Sequence, residues 1–396
     1  MEPETLVLVH PLALPSPMAN GVQTLATAAA LARRGRRVLL FVRAPAGMDL
    51  AEHVVEAYGI DVPAGLELEG IGASKRSAGI FFRKRLAGLV AAREPILFLS
   101  RSLRHALFLL RARRFLSPIA GSRNPKTLVQ EFHNLEHRVA RESGATRRAA
   151  ILEGREARVC AGADGLLSIS EPLAADLRSA FSPRVPLAVI EDGVDVARFR
   201  AVARAKPSGV RTRIVYAGSF FPHKGVDSLV DAVGLSPEGV TLELVGGHPA
   251  DAFERLRARV ASTPELAARV RLLGPVASRD VPAALSRADL IVLPAGPESA
   301  AQRYTSPLKL FEAMATGAPI VAAPSAAHAS VLRDGETAFL APDCDAAGLA
   351  AGIRTALADP DRARAVGRAA MEEAERFDWD QRAERILSFA RTLARS

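Results

Sequence analysis

An α/β protein of two doubly wound, Rossmann-like domains facing a cleft is what the sequence predicts, and three observations carry that expectation. The chain has 396 residues, enough for two domains of ordinary size, each with its own core. Short apolar runs alternate with helical stretches, the pattern that gives parallel sheets wrapped by helices. The alternation lapses once, at Ala201 to Arg211 (AVARAKPSGVR), where Pro207 and Gly209 sit among mixed charges without periodicity, and then it restarts. The expected domains are 1–200 and 201–377, with ligands at the carboxyl ends of the strands.

In the first half, Thr5 to His10 is a short apolar strand, followed by a Pro-rich loop and a periodic helical segment from Val22 to Arg34 that Gly35 caps. Arg37 to Val42 is the next strand. Gly65 to Glu69, Ile96 to Leu99, Thr127 to Phe132, Gly165 to Ile169 and Leu187 to Ile190 follow, separated by helices such as Arg83 to Ala92 and Arg104 to Leu116. The second half repeats the scheme. Strands are expected at Arg213 to Ala217, Thr241 to Val245, Val270 to Leu273, Leu290 to Leu293 and Pro319 to Ala322, with helices at Val226 to Val233, Ala252 to Val260 and after Ser306, then two or three C-terminal helices.

Composition narrows the function. Hydrophobic residues make up 49% and aromatics 5%, and no run approaches the ~18 to 20 apolar residues of a membrane span. The start, MEPETLVLVHPLALPSP, is acidic and then broken by prolines, unlike a signal peptide, so a cytoplasmic protein is expected. Cys160 and Cys344 lie far apart with no CxxC spacing, which argues against a disulfide framework or zinc site and for buried thiols. The net charge of +9 is uneven: 28 basic face 20 acidic residues in 1–200, but 24 face 23 thereafter. Lys75 to Arg123 alone holds twelve basic residues against Glu94, either a solvated helical face or the footprint of an anionic partner. With few aromatics and no zinc-finger or helix-turn-helix spacing, nucleic acid is not expected, and an anionic membrane surface or acceptor fits better.

The chemistry centres on SPLKLFEAMATGA, Ser306 to Ala318, where a Ser-Pro pair opens a helix that Gly317 ends. Such a terminus presents unpaired backbone N–H groups and a partial positive charge, so a phosphate over Ser306, Pro307 and Leu308 would be bound without a basic side chain. Glu312, further in, can accept hydrogen bonds from a diol such as ribose. Together they point to a nucleotide with a diphosphate. In AGSFFPHKGVDSLVDA, Gly218 permits a tight turn off a strand, and Lys224 with Gly225 places an ammonium at a helix start. His133 ends a strand and is expected to face the cleft. His137, a turn later, reads as structural, and a His133/Glu136/His137 metal set lacks HExxH order. Asp343/Asp345, Asp359/Asp361 and Asp378/Asp380 read as caps rather than metal ligands.

SPLKLFEAMATGAPIVAA resembles the signature helix of glycosyltransferase family 4, retaining sugar transferases of the GT-B fold. The resemblance implies that Glu312 is the second glutamate of the family's Glu-x7-Glu pattern and binds the donor ribose; the first falls at Tyr304, a departure at the donor sugar. The turn after the first strand of the second half resembles the Gly-Arg-x4-Lys-Gly loop: Lys224 matches and Ser219 replaces the arginine. LELVGG, with Gly247, and LLGPVASRDVPAAL, with Val276, are similar to the family's donor-side turn and its nucleobase loop. SPMANGVQTLATAAALARRG resembles the first-domain glycine loop, so that Asn20, Gly21 and Val22 would meet the diphosphate or acceptor. His133 falls where members carry a histidine near the transferred sugar. SEPLAADL and VIEDGVDVARF, with Asp192 in place of asparagine, resemble further landmarks of the fold.

What the resemblance implies is an acceptor-binding first domain, a donor-binding second domain, and a helix from about Asp378 (378–396) that packs back on the first. The reaction would be retaining transfer of a hexose from a nucleotide diphosphate sugar to an acceptor hydroxyl, in surface polysaccharide or glycolipid synthesis, with the sugar or lipid-linked acceptor at a peripheral membrane surface. His133, Lys224 and Glu312 would carry it, with no metal and no cofactor beyond the co-substrate, since Lys224 and the helix N-terminus neutralise the leaving diphosphate. Two other readings stay open. A nucleotide-sugar epimerase of this fold would need acid/base carboxylates where Tyr304 stands, and a non-catalytic relative would bind anionic lipid or a partner through Lys75 to Arg123.

Overall fold

A computed structural model describes residues 5–16, 18–116, 126–202, 211–296 and 299–393. The chain divides into two compact units, the first comprising residues up to Asp192 with Tyr304–Ser306 and the segment from Trp379, the second Gly193–Arg303 and Pro307–Asp378. Most of the irregular stretch around Pro207 and Gly209 lies outside the described residues, as does Arg123.

The first unit is built on seven parallel strands: β1 (Thr5–Ala13), β2 (Arg37–Arg43), β3 (Leu66–Gly70), β4 (Ile96–Ser100), β5 (Lys126–Phe132), β6 (Gly165–Ser168) and β7 (Leu187–Val189). Their order is β3-β2-β1-β4-β5-β6-β7. Because helices cover both faces, β1, β2 and β4 are near-continuous apolar runs, and Leu6, Val7, Val38, Leu40, Ile96 and Phe98 are fully buried. β1 continues three residues beyond the predicted strand, through Pro11, with a register irregularity between Leu8 and Leu12. The helix Lys75–Ala91 begins eight residues earlier than periodicity indicated, because Lys75, Arg76 and Gly79 carry no apolar signal in its first turns. The helix Trp379–Leu393 packs on the helix Ala19–Arg33. Gly165 makes room for it: a Cβ there would lie 2.7 Å from Leu393 Cδ1 and 2.8 Å from Phe389 Cε1.

The second unit has six parallel strands, β8 (Thr212–Gly218), β9 (Val240–Gly246), β10 (Val270–Gly274), β11 (Leu290–Leu293), β12 (Ile320–Ala322) and β13 (Phe339–Leu340), in the order β10-β9-β8-β11-β12-β13. Side chains alternate between two cores, as the strand period of two demands. Ile214, Tyr216, Leu242, Leu244 and Val292 enter one, and Val215, Val245, Ile291, Leu293 and Ile320 the other. β13 was not predicted; two residues carry no periodicity.

In each sheet the strand order reverses beside the unit's first strand, between β1 and β4 and between β8 and β11. Loops leaving neighbouring strands diverge there, which makes the carboxyl ends of those strands the expected binding points.

Candidate functional site

At the switch point of the first unit, a polar cluster stands around the buried carboxylate of Glu131, near the end of β5. Arg382, reaching in from the helix Trp379–Leu393, donates from Nη2 to Glu131 Oε2 (2.6 Å) and from Nη1 to Thr27 Oγ1 (3.0 Å). Gln23 Nε2 donates to Glu131 Oε1 at 3.2 Å. Arg101, just after β4, donates to Thr24 Oγ1 (2.7 Å), to Gln23 Oε1 and to His133 Nδ1 (3.2 Å). A guanidinium has no acceptor, so Nδ1 must accept and the imidazole proton sits on Nε2, which donates to Glu131 Oε1. Burial first, then Arg101, lowers the His133 pKa, which keeps the ring neutral. Burial, then Arg101 and His133, pushes His10 down to about 3. Burial would raise Glu131, but Arg382, His133 and Arg101 hold it well below the usual carboxylate range. His10, Gln23, Thr24, Arg101 and Glu131 line a small recess.

Both ring nitrogens of His133 are thus engaged within the first unit, and contact with a ligand through either needs one of these bonds to open. Asn20 is exposed in the first turn of the helix Ala19–Arg33, Gly21 is buried and Val22 half-buried; the N-cap residue Met18 makes no side-chain cap hydrogen bond. His137 is structural, as expected, bonded to the buried Glu156 carboxylate that also accepts from the Glu136 amide (2.6 Å).

Tyr304 and Ser306 count with the first unit. The Tyr304 side chain is buried; its hydroxyl donates to Asp176 Oδ2 (2.7 Å) and accepts from Arg138 Nη1 (3.2 Å), while its carbonyl accepts from Ser170 Oγ (3.0 Å). Burial, then Asp176, pushes this phenol up to about 12. Ser306 is buried, and its Oγ accepts from the Asp192 amide (2.9 Å) instead of capping the helix Leu308–Ala315, which has no side-chain cap at Pro307.

At the switch point of the second unit, β8 ends in Gly218 and is followed by Ser219. Lys224 closes the short turn Pro222–Lys224, and Gly225 takes φ 69° before the helix Val226–Gly234. A Cβ on Gly225 would lie 2.7 Å from the Ala295 backbone, so the turn seats against the loop after β11 only because no side chain intervenes. Gly246 is tighter still, with φ 126° and a Cβ position 1.9 Å from Gly218 O. Gly247 lies beside Phe253, and Val276 is exposed on the loop after β10.

The helix Leu308–Ala315 carries both Lys309 and Glu312. Lys309 Nζ stands 4.9 Å from the centroid of the Tyr216 ring, on β8, and is buried without a hydrogen bond among the described residues. Burial, with Lys224 adding, brings its pKa down to about 7, and burial also lowers Lys224. Glu312 is pushed up to about 7 by burial, opposed by Arg198. Gly218, Ser219, Lys224, Gly247, Val276, Pro307, Leu308 and Glu312 therefore all belong to this second unit. Lys309, Arg198 and His328 were missed as site residues, although a lone lysine in the apolar run Leu308–Ala315 was a usable signal.

Other expectations resolve into structure. Asp345 caps the helix Ala346–Ala358 by accepting from the Gly348 amide (2.7 Å), and Asp359 caps the helix Pro360–Glu373. Cys160 is buried, but Cys344 only half so, with its thiol donating to Pro324 O. The basic stretch presents less free charge than its composition implied. Arg85 forms a bidentate pair with Glu69, Arg113 with Asp164, and Arg101 belongs to the recess. Lys75, Arg76, Lys84, Arg104, Arg111 and Arg114 are exposed, as are Ile80, Phe81 and Phe115. Among the described residues no helix is long and apolar enough to cross a membrane.

Comparison with known proteins agrees with this arrangement. A Glycosyltransferase Family 4 model matches residues 21–198, and a model for glycosyl transferases group 1 matches residues 211–359. A GDP-mannose-dependent alpha-(1-6)-phosphatidylinositol monomannoside mannosyltransferase of Mycobacterium tuberculosis is 28% identical over 277 residues, 64% of this chain and 71% of that protein. A phosphatidyl-myo-inositol mannosyltransferase of the same organism is 35% identical over 222 residues, 52% of this chain and 54% of that one. Among solved structures, sucrose-phosphate synthase from Thermosynechococcus elongatus superposes with a TM-score of 0.76 at 21% identity, covering 99% of this chain and 100% of the other. With two doubly wound units, a GT-B architecture and family matches spanning both, the chain belongs to glycosyltransferase family 4 and is a glycosyltransferase.

Proposed function

We propose that the protein moves a hexose from a nucleotide diphosphate sugar to an acceptor hydroxyl with retention at the anomeric carbon. The observation that carries this reading is that the helix bearing Glu312 comes, through Lys309, against β8 and within electrostatic reach of the Lys224 turn. A cationic turn suits a diphosphate, and a half-buried carboxyl group one and a half turns into a helix suits a ribose diol. In the transfer, the bond from the anomeric carbon to the phosphate oxygen breaks, the bond to the acceptor oxygen forms on the same face, and the leaving phosphate takes the acceptor proton. Protein groups then contribute position and charge, with Lys224 stabilising the diphosphate as it leaves. No metal is needed in this scheme. The first unit takes the acceptor, and His133 orients the sugar once its bond to Arg101 or Glu131 is exchanged for one to substrate.

The two relatives are named for phosphatidylinositol-based acceptors, and one for a GDP-mannose donor. That supports a lipid-linked or phosphate-bearing acceptor here, reached from the cytoplasm by peripheral contact of Lys75, Arg76 and Lys84, beside the exposed Ile80 and Phe81, with an anionic membrane. Sedimentation with anionic vesicles at low salt tests that contact, and a protein left in the supernatant would count against it. For the donor, a thermal-shift panel of UDP, GDP, ADP and their sugar conjugates without added metal is the direct test. A shift for one base that Lys224→Ala and Glu312→Ala both abolish supports the reading; no shift with any nucleotide would sink it.

A further inference from the structure

The turn after β8 has Ser219 where its resemblance to the family calls for a second phosphate cation, yet the space is not without one. Lys309 Nζ is buried, donates to no protein acceptor among the described residues and stands against the face of the Tyr216 ring. The hydroxyl of the same tyrosine donates to the Ser219 carbonyl at 2.8 Å, so ring, Ser219 backbone and ammonium form one wall. A buried ammonium with no acceptor is costly, and a contact with a ring face offsets only part of that cost. The titratable groups that act on it or feel it are all bases: Lys224 and His223 on the Pro222–Lys224 turn, and His328 on the helix Ala326–Ala329, with burial first lowering both histidines. Among the described residues no carboxylate contributes to its electrostatics. His328 is itself committed, through Nδ1, to the Ala323 carbonyl (2.8 Å).

Resting on the donor reading above, we propose that Lys309 is the second cation of a diphosphate subsite, so that a diphosphate bridges the Lys224 and Lys309 ammonium groups and the charge missing at Ser219 is supplied from the helix. An arriving diphosphate gives the buried ammonium the partner it lacks. Since Lys309 is brought to about 7 in the free protein, by burial and then Lys224, binding near neutral pH takes up a proton.

Calorimetric titration of the full chain with inorganic pyrophosphate, with UDP, GDP and ADP, and with the matching nucleosides tests this, in two buffers of different ionisation enthalpy at pH 7. Lys309→Met is expected to weaken pyrophosphate and the preferred diphosphate about 10- to 100-fold, the range for a hydrogen bond to a charged group. It should leave the nucleoside unchanged and remove the proton uptake. Its melting temperature should match or exceed that of the wild type, because a buried unpaired charge is gone. An equal loss for nucleoside and diphosphate, or no loss, overturns the assignment. Pyrophosphate bound through Lys309 by a protein that binds no nucleotide would overturn the donor reading and keep the anion subsite. A nucleotide bound equally well by Lys309→Met would do the reverse, and no binding of either probe overturns both. If Lys309→Met does not fold, Lys309→Gln reads the same loss.

Discussion

Replacing Arg382 by methionine tests how the C-terminal helix is held. Arg382 is 2% exposed in its side chain and pairs with Glu131, also 2% exposed, at 2.6 Å, with further bonds to Thr27 Oγ1 (3.0 Å) and the Glu191 carbonyl (2.9 Å). Methionine fills much of the same volume but leaves a buried carboxylate without its closest counter-charge. Breaking a buried pair from one side costs about 3–5 kcal/mol. Gln23, His133 and Arg101 still surround Oε1, so the lower end, ~3 kcal/mol, is expected, roughly a hundredfold in the folding equilibrium. The chain has one tryptophan, Trp379, buried at the start of this same helix, so its fluorescence in a urea titration reports the first unit without interference from the second. Adding Glu131→Gln should restore most of the loss, because no unpaired charge then remains. Acid supplies the control. Glu131 is held below its ordinary value, so its contribution is present above the unfolded pKa and is lost as pH falls through the folded one. Arg382→Met should flatten that acid limb. A loss under ~1 kcal/mol at pH 7, or no rescue by Glu131→Gln, would refute the view that this pair holds the helix.

Glu312→Gln should leave the melting temperature nearly unchanged at pH 5 and raise it at pH 8. Burial pushes the folded carboxyl from 4.5 to about 7, so its contribution to stability is present below pH 4.5 and lost as pH rises to about 7, a fall of at most ~3 kcal/mol that glutamine does not suffer. Equal effects of the substitution at both pH values would refute the burial. Gly246→Ala places a Cβ 1.9 Å from Gly218 O at φ 126°, so it should destabilise the second unit by more than ~2 kcal/mol and remove any nucleotide-dependent shift; a variant that melts like the wild type would show that the β8 and β9 turns are not in contact.

The strands were legible because each is a short apolar run closed by glycine, proline or a charged turn, and the repeat of the pattern after Arg211 disclosed two units. What escaped had no local signal. β13 is two residues long, and the first turns of the helix Lys75–Ala91 look like a solvated loop. Lys224 and Glu312, on which the proposed donor site rests, could be found by spacing within one sheet. The Glu131 network could not: Arg382 and Glu131 are 251 residues apart, and an arginine in a helix that also carries Arg385 and Arg391 reads as surface. Burial of a charge is a tertiary fact, visible only when its partner is known. At Tyr304 the pattern names a position but not its bonds: the phenol donates to Asp176 and accepts from Arg138, which no spacing discloses.

The two units handle buried charge in opposite ways. Around Glu131 the main charges have partners inside the protein, and such a network fixes geometry without waiting for a ligand. Around Lys309 the match is poor: among the described residues its ammonium has no acceptor, Lys224 of like sign acts on it, and the carboxyl group on the same helix is pushed toward neutrality. Between pH 4.5 and about 7 the folded state loses stability because Glu312 keeps its proton there while the unfolded carboxyl ionises, and between about 7 and 10.5 it regains stability because folded Lys309 has given up the proton that the unfolded lysine keeps. These two groups therefore place their stability minimum near neutral pH. A fold keeps charges so poorly matched where a ligand completes them, and the ligand that relieves the lysine pair without further burdening Glu312 is one that carries its negative charge at one end and neutral hydroxyls at the other. A nucleotide diphosphate has that distribution, whereas an anionic lipid headgroup held only through the basic helix would leave Lys309 as it stands.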